Sequence, residues 1–263
     1  MRKLLLISAC ALMLPAAAFA ADSGSQNIGA WSGAGELGFA LTRGNTKSEN
    51  LNAKLNFDRE DDTWKNNIYL TALRSKGEVT ADGADSYQST ANRFEAGTSA
   101  GYKLTPRSYV VGALRYEKDD FAAYRWQSAV SLGYGYIAIK NPRTELSFEA
   151  GPGYKRVQPI DYVVSSGEPP VAQVVHPGSD GEIIARGLMN LHHQLTDNTA
   201  FDNKLLIEAG SDGRFYQNDA GLVVDMNAKL ALKLGYQVRY NSDVAPGAKH
   251  KDQLVTTNLV YKF

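Results

Sequence analysis

Residues 93–104 read Arg93-Phe94-Glu95-Ala96-Gly97-Thr98-Ser99-Ala100-Gly101-Tyr102-Lys103-Leu104. Every second residue, from Phe94 to Leu104, is uncharged and mostly apolar, while Arg93, Glu95 and Lys103 stand on the alternate positions. Side chains that alternate in this way belong to a strand with one face in an apolar medium and the other in a polar one. The same period spreads outward in both directions. It runs through Leu37, Phe39 and Leu41, through Leu51, Ala53, Leu55 and Phe57, and more weakly over 64–72. It returns in Val110 to Tyr116, Trp126 to Tyr136, Leu146 to Tyr154 and Ile183 to Leu191, each at every second position. Four further sets, within 201–209, 220–224, 230–240 and 255–263, bring the expected strands to twelve.

No Asp, Glu, Lys or Arg falls on the apolar face of these segments. The opposite face carries Glu36, Lys54, Lys65, Lys103, Lys155, Lys204, Glu208, Asp225, Lys233 and Arg239. It also carries Arg93, Glu95, Arg115, Glu117, Glu149 and Arg186, which are expected to form a mixed-sign charge network inside the fold. Alternation alone does not separate a soluble barrel, apolar within, from a membrane barrel, apolar without. Three features favour the second. Short links near residues 58–62, 105–107, 141–144, 196–199 and 226–228 alternate with mostly longer ones near 75–89, 119–125, 157–181, 211–214 and 242–251, though the first link on that side, 43–46, is tight. Membrane barrels have short turns on one side and long loops on the other. Trp64, Tyr102, Tyr116, Trp126, Tyr136, Tyr154, Tyr240 and Tyr261 lie near strand ends on the apolar face, as interfacial girdles do. Phe263 ends an alternating segment, the expected signal to the outer-membrane assembly machinery.

The start of the chain sets its expected destination. Arg2 and Lys3, an apolar stretch over 4–14 and Ala18-Phe19-Ala20 describe a secretory signal peptide, residues 1–20, with cleavage before Ala21. A lipobox-like order ending at Cys10 is the rival, with an apolar segment too short for it. Residues 21–30 then form a short N-terminal segment and residues 31–263 the barrel. The fold class expected is all-β, a transmembrane antiparallel β-barrel of about 12 strands in a Gram-negative outer membrane, surrounded by its lipid. With 28 basic and 28 acidic residues, no positive excess draws nucleic acid.

Other motifs have bland readings. Gly33-Ala34-Gly35-Glu36-Leu37-Gly38 spells a dinucleotide fingerprint, but a strand follows where a helix is required. His192 and His193 are adjacent on a strand, so they point to opposite faces and do not share one metal. His192, with Ser99, Ser131 or Ser147, is the only opening for a lipid hydrolase or acyltransferase. Asp58, Glu60, Asp61 and Asp62 lack the glycine and closing Glu of a calcium loop. No catalytic residue, cofactor or metal is therefore expected, and oligomeric state is left open.

The chain also resembles the salt-induced outer-membrane protein family, whose members share a domain of unknown function. The resemblance rests on Gly44-Asn45-Thr46, on Asp119-Asp120 with Tyr124-Arg125, and on the stretch Phe148-Glu149-Ala150-Gly151-Pro152-Gly153-Tyr154. Residues 194–198, 236–242 and the last strand continue it in order, and 157–181 is a local departure. It implies an outer-membrane barrel and brings no catalytic residues. Two functional readings follow: a narrow channel or structural envelope protein linked to salt or osmotic conditions, and a lipid-modifying enzyme.

Overall fold

The computed structural model describes residues 29–42, 48–81, 84–166, 171–244 and 249–263. The expected signal peptide and most of the segment 21–30 lie outside the described residues. The strands are β1 (Trp31–Thr42), β2 (Ser48–Glu60), β3 (Trp64–Ala81), β4 (Ala84–Thr105), β5 (Ser108–Asp119), β6 (Tyr124–Lys140) and β7 (Thr144–Pro159). They continue with β8 (Tyr162–Ser166), β9 (Val171–Val175), β10 (Asp180–Thr196), β11 (Thr199–Gly210), β12 (Arg214–Asp225), β13 (Leu230–Asn241) and β14 (Lys251–Lys262). Twelve of them close one barrel in the order β1-β14-β13-β12-β11-β10-β7-β6-β5-β4-β3-β2, and β8 and β9 pair as a separate hairpin. Every ladder is antiparallel.

The first and last strands meet with Glu36 opposite Val260. Below that pairing, Gly33 N–H donates to Phe263 O at 2.8 Å and Phe263 N–H to Gly33 O at 2.9 Å. Closure leaves no edge strand, which is the condition for crossing hydrocarbon. The barrel is apolar outside: Leu37, Leu132 and Leu234 are 58%, 62% and 54% exposed, whereas Glu95 and Arg115 are buried. It is thus a membrane-spanning barrel, as the period-two pattern predicts. The aromatic girdles form by neighbouring strands: Trp64 stacks edge-on against Tyr102, and Tyr116 lies against Trp126 at the other end. The lipid face is broken by Asn203 and Asn218, whose amides bond each other reciprocally at 3.1 Å.

The short turns are held by side chains at their first residues. Asp61 Oδ1 accepts Thr63 N–H and Trp64 N–H, at 2.8 and 2.7 Å. Asn141 and Asn227 do the same for residues two and three further on, and Thr105 Oγ1 accepts from Arg107 and Ser108. These Asx and ST turns satisfy the backbone where the ladder stops. They also absorb the acidic turn at residues 58–62, whose Glu60 is bonded by Lys103 and Lys140.

One expectation about the loop side is corrected. The link near residues 75–89 is not a loop: β3 and β4 continue as a paired ribbon to Ala81 and Ala84, with a register shift at Ser75 and Lys76. Its polar residues alternate less than the rest, and above Arg93 β4 has left its ladder with β5. The departure over 157–181 contains the β8–β9 hairpin. It is fastened at its base by Arg156 on Ser179 Oγ at 3.0 and 2.6 Å, and by Gln158 on Pro177 O at 2.8 Å.

One wall is creased. Pairing between β6 and β7 lapses between Ser131–Gly153 and Tyr134–Ala150, around Pro152, which has no N–H to donate. There Gly133 and Gly151 face the lumen so closely that a Cβ on Gly151 would strike Leu132 O and Gly133 Cα. Gly151→Val is therefore expected to abolish folding, and Gly112→Val, which meets open space, to be tolerated. The folded fraction after detergent refolding, read from heat-dependent gel mobility, checks both.

Candidate functional site

The inward positions of the twelve strands converge on one lumen, and its charged side chains reach across it. Arg115 on β5 forms a fork with Glu208 on β11: Nε donates to Oε1 at 3.2 Å and Nη2 to Oε2 at 2.5 Å. Its Nη1 donates to Glu117 Oε2 at 2.9 Å. Glu117 Oε1 in turn accepts from Arg239 Nη2 at 2.6 Å and from Tyr124 OH at 2.7 Å, and Gln127 donates to that hydroxyl at 2.9 Å. Glu117 and Glu208 are 0% and 1% exposed, although both carry charge. Arg239 lies on β13, six strands from β5 in either direction round the barrel. Glu117 and Arg239 thus join opposite walls. Phe215 fills the gap between them, with the Arg115 and Arg239 guanidinium carbons 4.9 and 5.0 Å from its ring centre. Burial of these charges is sustained by multiple charge-assisted hydrogen bonds per carboxylate. The cation–π pairs add dispersion and quadrupole attraction at the Phe215 ring.

This layer lies towards the loop ends of the strands. Beneath it is a cavity of about 730 Å³, lined by residues from Arg115 and Glu208 down to Glu60, Asp225 and Lys262 near the short turns. Within it Tyr69 OH donates to Glu95 Oε1 at 2.7 Å, and Lys204 Nζ lies 4.8 Å from the Tyr69 ring centre. Arg93 Nη2 donates to Gln237 Oε1 at 2.6 Å, and Gln237 hands on a bond to Asp219 Oδ1 at 2.5 Å. Lower still, Glu149 accepts from Arg186 at 3.3 Å and Tyr109 at 3.0 Å. Glycines make room for these rings: Gly97 underlies Tyr69, and Gly101 and Gly135 underlie Tyr109.

All six residues expected in the charge network face this lumen, but they do not form one chain. Arg115 and Glu117 are bonded to each other; Glu149 and Arg186 form a separate pair; Arg93 and Glu95 bond to neutral partners. The residues that complete the layer, Glu208 and Arg239, carried the inward-facing signal of the period, but nothing in sequence spacing says which opposite walls touch. Phe215 carried no signal as a member of a charged layer. Tyr109, Val111 and Ile137 form an apolar cluster on the inner face, so the lumen is not charged throughout.

The histidines are separated as the strand geometry requires. His192 Nδ1 is 2.7 Å from Asp202 Oδ1 at the exposed short-turn mouth. His193 Nδ1 is 2.8 Å from Thr144 Oγ1 on the other face. Among the described residues no serine hydroxyl is hydrogen-bonded to His192, whose contact is with Asp202.

The class so defined is a membrane-spanning β-barrel with a charged, cross-braced lumen. The chain belongs to the family described as Protein of unknown function, DUF481, whose model matches residues 35–263. Uncharacterized protein YdiY of Escherichia coli (strain K12) is 25% identical over 225 residues, covering 85% of this chain and 80% of its own. Among solved structures, the translocator domain of autotransporter NalP from Neisseria meningitidis aligns with a TM-score of 0.47 and 12% identity, over 90% of this chain and 88% of that one. An outer-membrane channel from Pseudomonas putida F1 aligns with a TM-score of 0.45 and 9% identity, over 92% and 97%.

Removing Glu117 leaves Arg239 in the low-dielectric layer with Asp119, at 3.9 Å, as its remaining ion-pair partner among the described residues. Glu117→Ala is expected to lower stability by about 3–5 kcal/mol, the typical cost of breaking a buried pair by deleting one partner. Urea unfolding of the detergent-folded protein measures it, and an unchanged midpoint contradicts this account of the layer.

Proposed function

We propose that this protein is an outer-membrane channel held closed at rest by its own side chains. The observation that carries the reading is the contact of Glu117 with Arg239 between opposite walls, above a cavity of about 730 Å³. A barrel meant only as a rigid post gains nothing from a large polar hollow ended by side chains alone. The lumen is crossed by the Glu117–Arg239 layer and, lower down, by Lys204 over the Tyr69 ring and Arg93 on Gln237. All of these are side-chain contacts that rotamer changes can part, which makes the obstruction a gate.

Orientation follows from the turns. Both described chain ends and the short turns lie at one end of the barrel, and in outer-membrane barrels that end faces the periplasm. The hollow then opens to the periplasm and the seal faces the cell exterior, with the β3–β4 ribbon and the β8–β9 hairpin beyond it. The apolar belt and aromatic girdles support outer-membrane lipid as the surroundings of the wall. An osmotic role suits such a device, because a barrel shut at rest leaks nothing until its gate yields. Mixed charge in the gate argues against steep selection by sign within that layer.

The test is electrical. In planar bilayers the wild-type protein is expected to show rare, brief openings, and Phe215→Ala with Arg239→Ala a steady conductance at least tenfold higher on average. Arg239 is chosen because Glu117 keeps Arg115 and Tyr124 when it is lost. Silence in both proteins, each shown to be folded, rejects the channel. Location is checked separately: the protein should leave the envelope fraction only with detergent and show heat-dependent gel mobility.

A further inference from the structure

Most inward cations have a carboxylate in contact: Arg115 has Glu208, Arg186 has Glu149, Lys233 has Glu36 and Arg239 has Glu117. Three that line the cavity do not, among the described residues: Lys54, Arg93 and Lys204. The ladder does give each of them a carboxylate directly opposite. Lys54 faces Glu36, Lys204 faces Asp219 and Arg93 faces Asp119. In each case that carboxylate is turned to another donor. Glu36 accepts from Lys233 and Asn258, at 2.7 and 3.2 Å. Asp219 accepts from Gln217 and Gln237, at 2.8 and 2.5 Å. Asp119 accepts the backbone N–H of Phe121 at 3.0 Å. Three positive charges are thus left over in one hollow by the same pattern of diversion, and the Tyr69 ring lies 4.8 Å from Lys204 Nζ.

We propose that Lys54, Arg93 and Lys204 form a station for the anionic group of a small solute that enters from the short-turn end. The ligand class is a solute with a single carboxylate, phosphate or sulfate charge, carried on a polar body that fits about 730 Å³. The single charge follows from the neighbours. Glu95 and Asp219 share the hollow with only neutral donors in contact, so a second negative charge on the solute meets their repulsion. Their free lone pairs instead suit hydroxyl groups on the solute. The proposal deepens the channel reading by naming what the lumen holds, and rests on that reading only for the solute's onward passage.

The test is equilibrium binding to the full-length, detergent-folded protein, by isothermal titration calorimetry at low ionic strength. The probes are gluconate, which has one carboxylate on a polyol; glucitol, its uncharged counterpart; and citrate, a polyanion of similar size. Gluconate is expected to bind at least tenfold more tightly than either, and K54Q/K204Q to lose at least tenfold of that affinity while K54R/K204R keeps most of it. Replacing two unpaired like charges relieves repulsion, so K54Q/K204Q should fold, and K204Q alone gives the same reading in milder form. Gluconate no tighter than glucitol, or unchanged in K54Q/K204Q, overturns the station; citrate tighter than gluconate overturns the single-charge class. Because the measurement needs no conduction, gluconate binding by a silent barrel would keep the station and discard the channel. Conduction without gluconate binding would do the reverse.

Discussion

The constraint on which the rest depends is that hydrocarbon supplies no hydrogen-bond partners. A strand placed in it must find both neighbours, so β1 has to meet β14, and the register with Glu36 opposite Val260 fixes how the cylinder closes. Once the sheet is closed, alternation does the sorting: one face of each strand must satisfy lipid, and everything polar is forced into a shared interior. The charged layer is a consequence of that sorting. Twelve strands leave an interior narrow enough for long side chains to meet from opposite sides, as Glu117 and Arg239 do.

The interior is built by the contrast of very small and very large residues. Gly97, Gly101 and Gly135 let Tyr69 and Tyr109 lie flat against the wall, and those rings then direct their hydroxyls to Glu95 and Glu149. The crease at Gly133, Gly151 and Pro152 brings β6 and β7 together more tightly than side chains would permit. It interrupts the ladder at a point where glycine backbone takes the place of paired strand. Buried ionic layers seldom add net stability over an apolar equivalent. Here the layer spans the lumen from wall to wall while leaving a hollow beneath it.

The barrel was largely legible in the sequence because its rule is local. Phe94 to Leu104 is enough to show period two, and the placement of Arg93, Glu95 and Lys103 shows which side is polar. Leu37, Leu132 and Leu234 lie outside, as that rule demands. The strand count was legible too, because Pro- and Asn-bearing breaks fall between the apolar sets. The ribbon above β3 and β4 was not, since strands that leave the membrane lose the force that makes them alternate. Within the lumen, sequence identified Arg115 and Glu117 as inward but not their partners. The contact of Arg115 with Glu208 depends on how far the ladder slips in register around the whole circumference, a sum that no single segment records. The diversion of Glu36 to Lys233 is of the same kind, because the opposing Lys54 is the partner that pairing alone would suggest.

The ribbon has a consequence for where the bilayer ends. β4 is bonded to β5 no further up than Arg93 and Asp119, after which Asp120 N–H takes Asn92 O at 3.1 Å and the side of β4 nearest β5 has no ladder partner. Such bare peptide groups are tolerable only in water or headgroups. Asn92 therefore acts as a waterline on this wall, drawn by the backbone itself, and the eight residues from Ala84 to Ala91 stand above it as a mast.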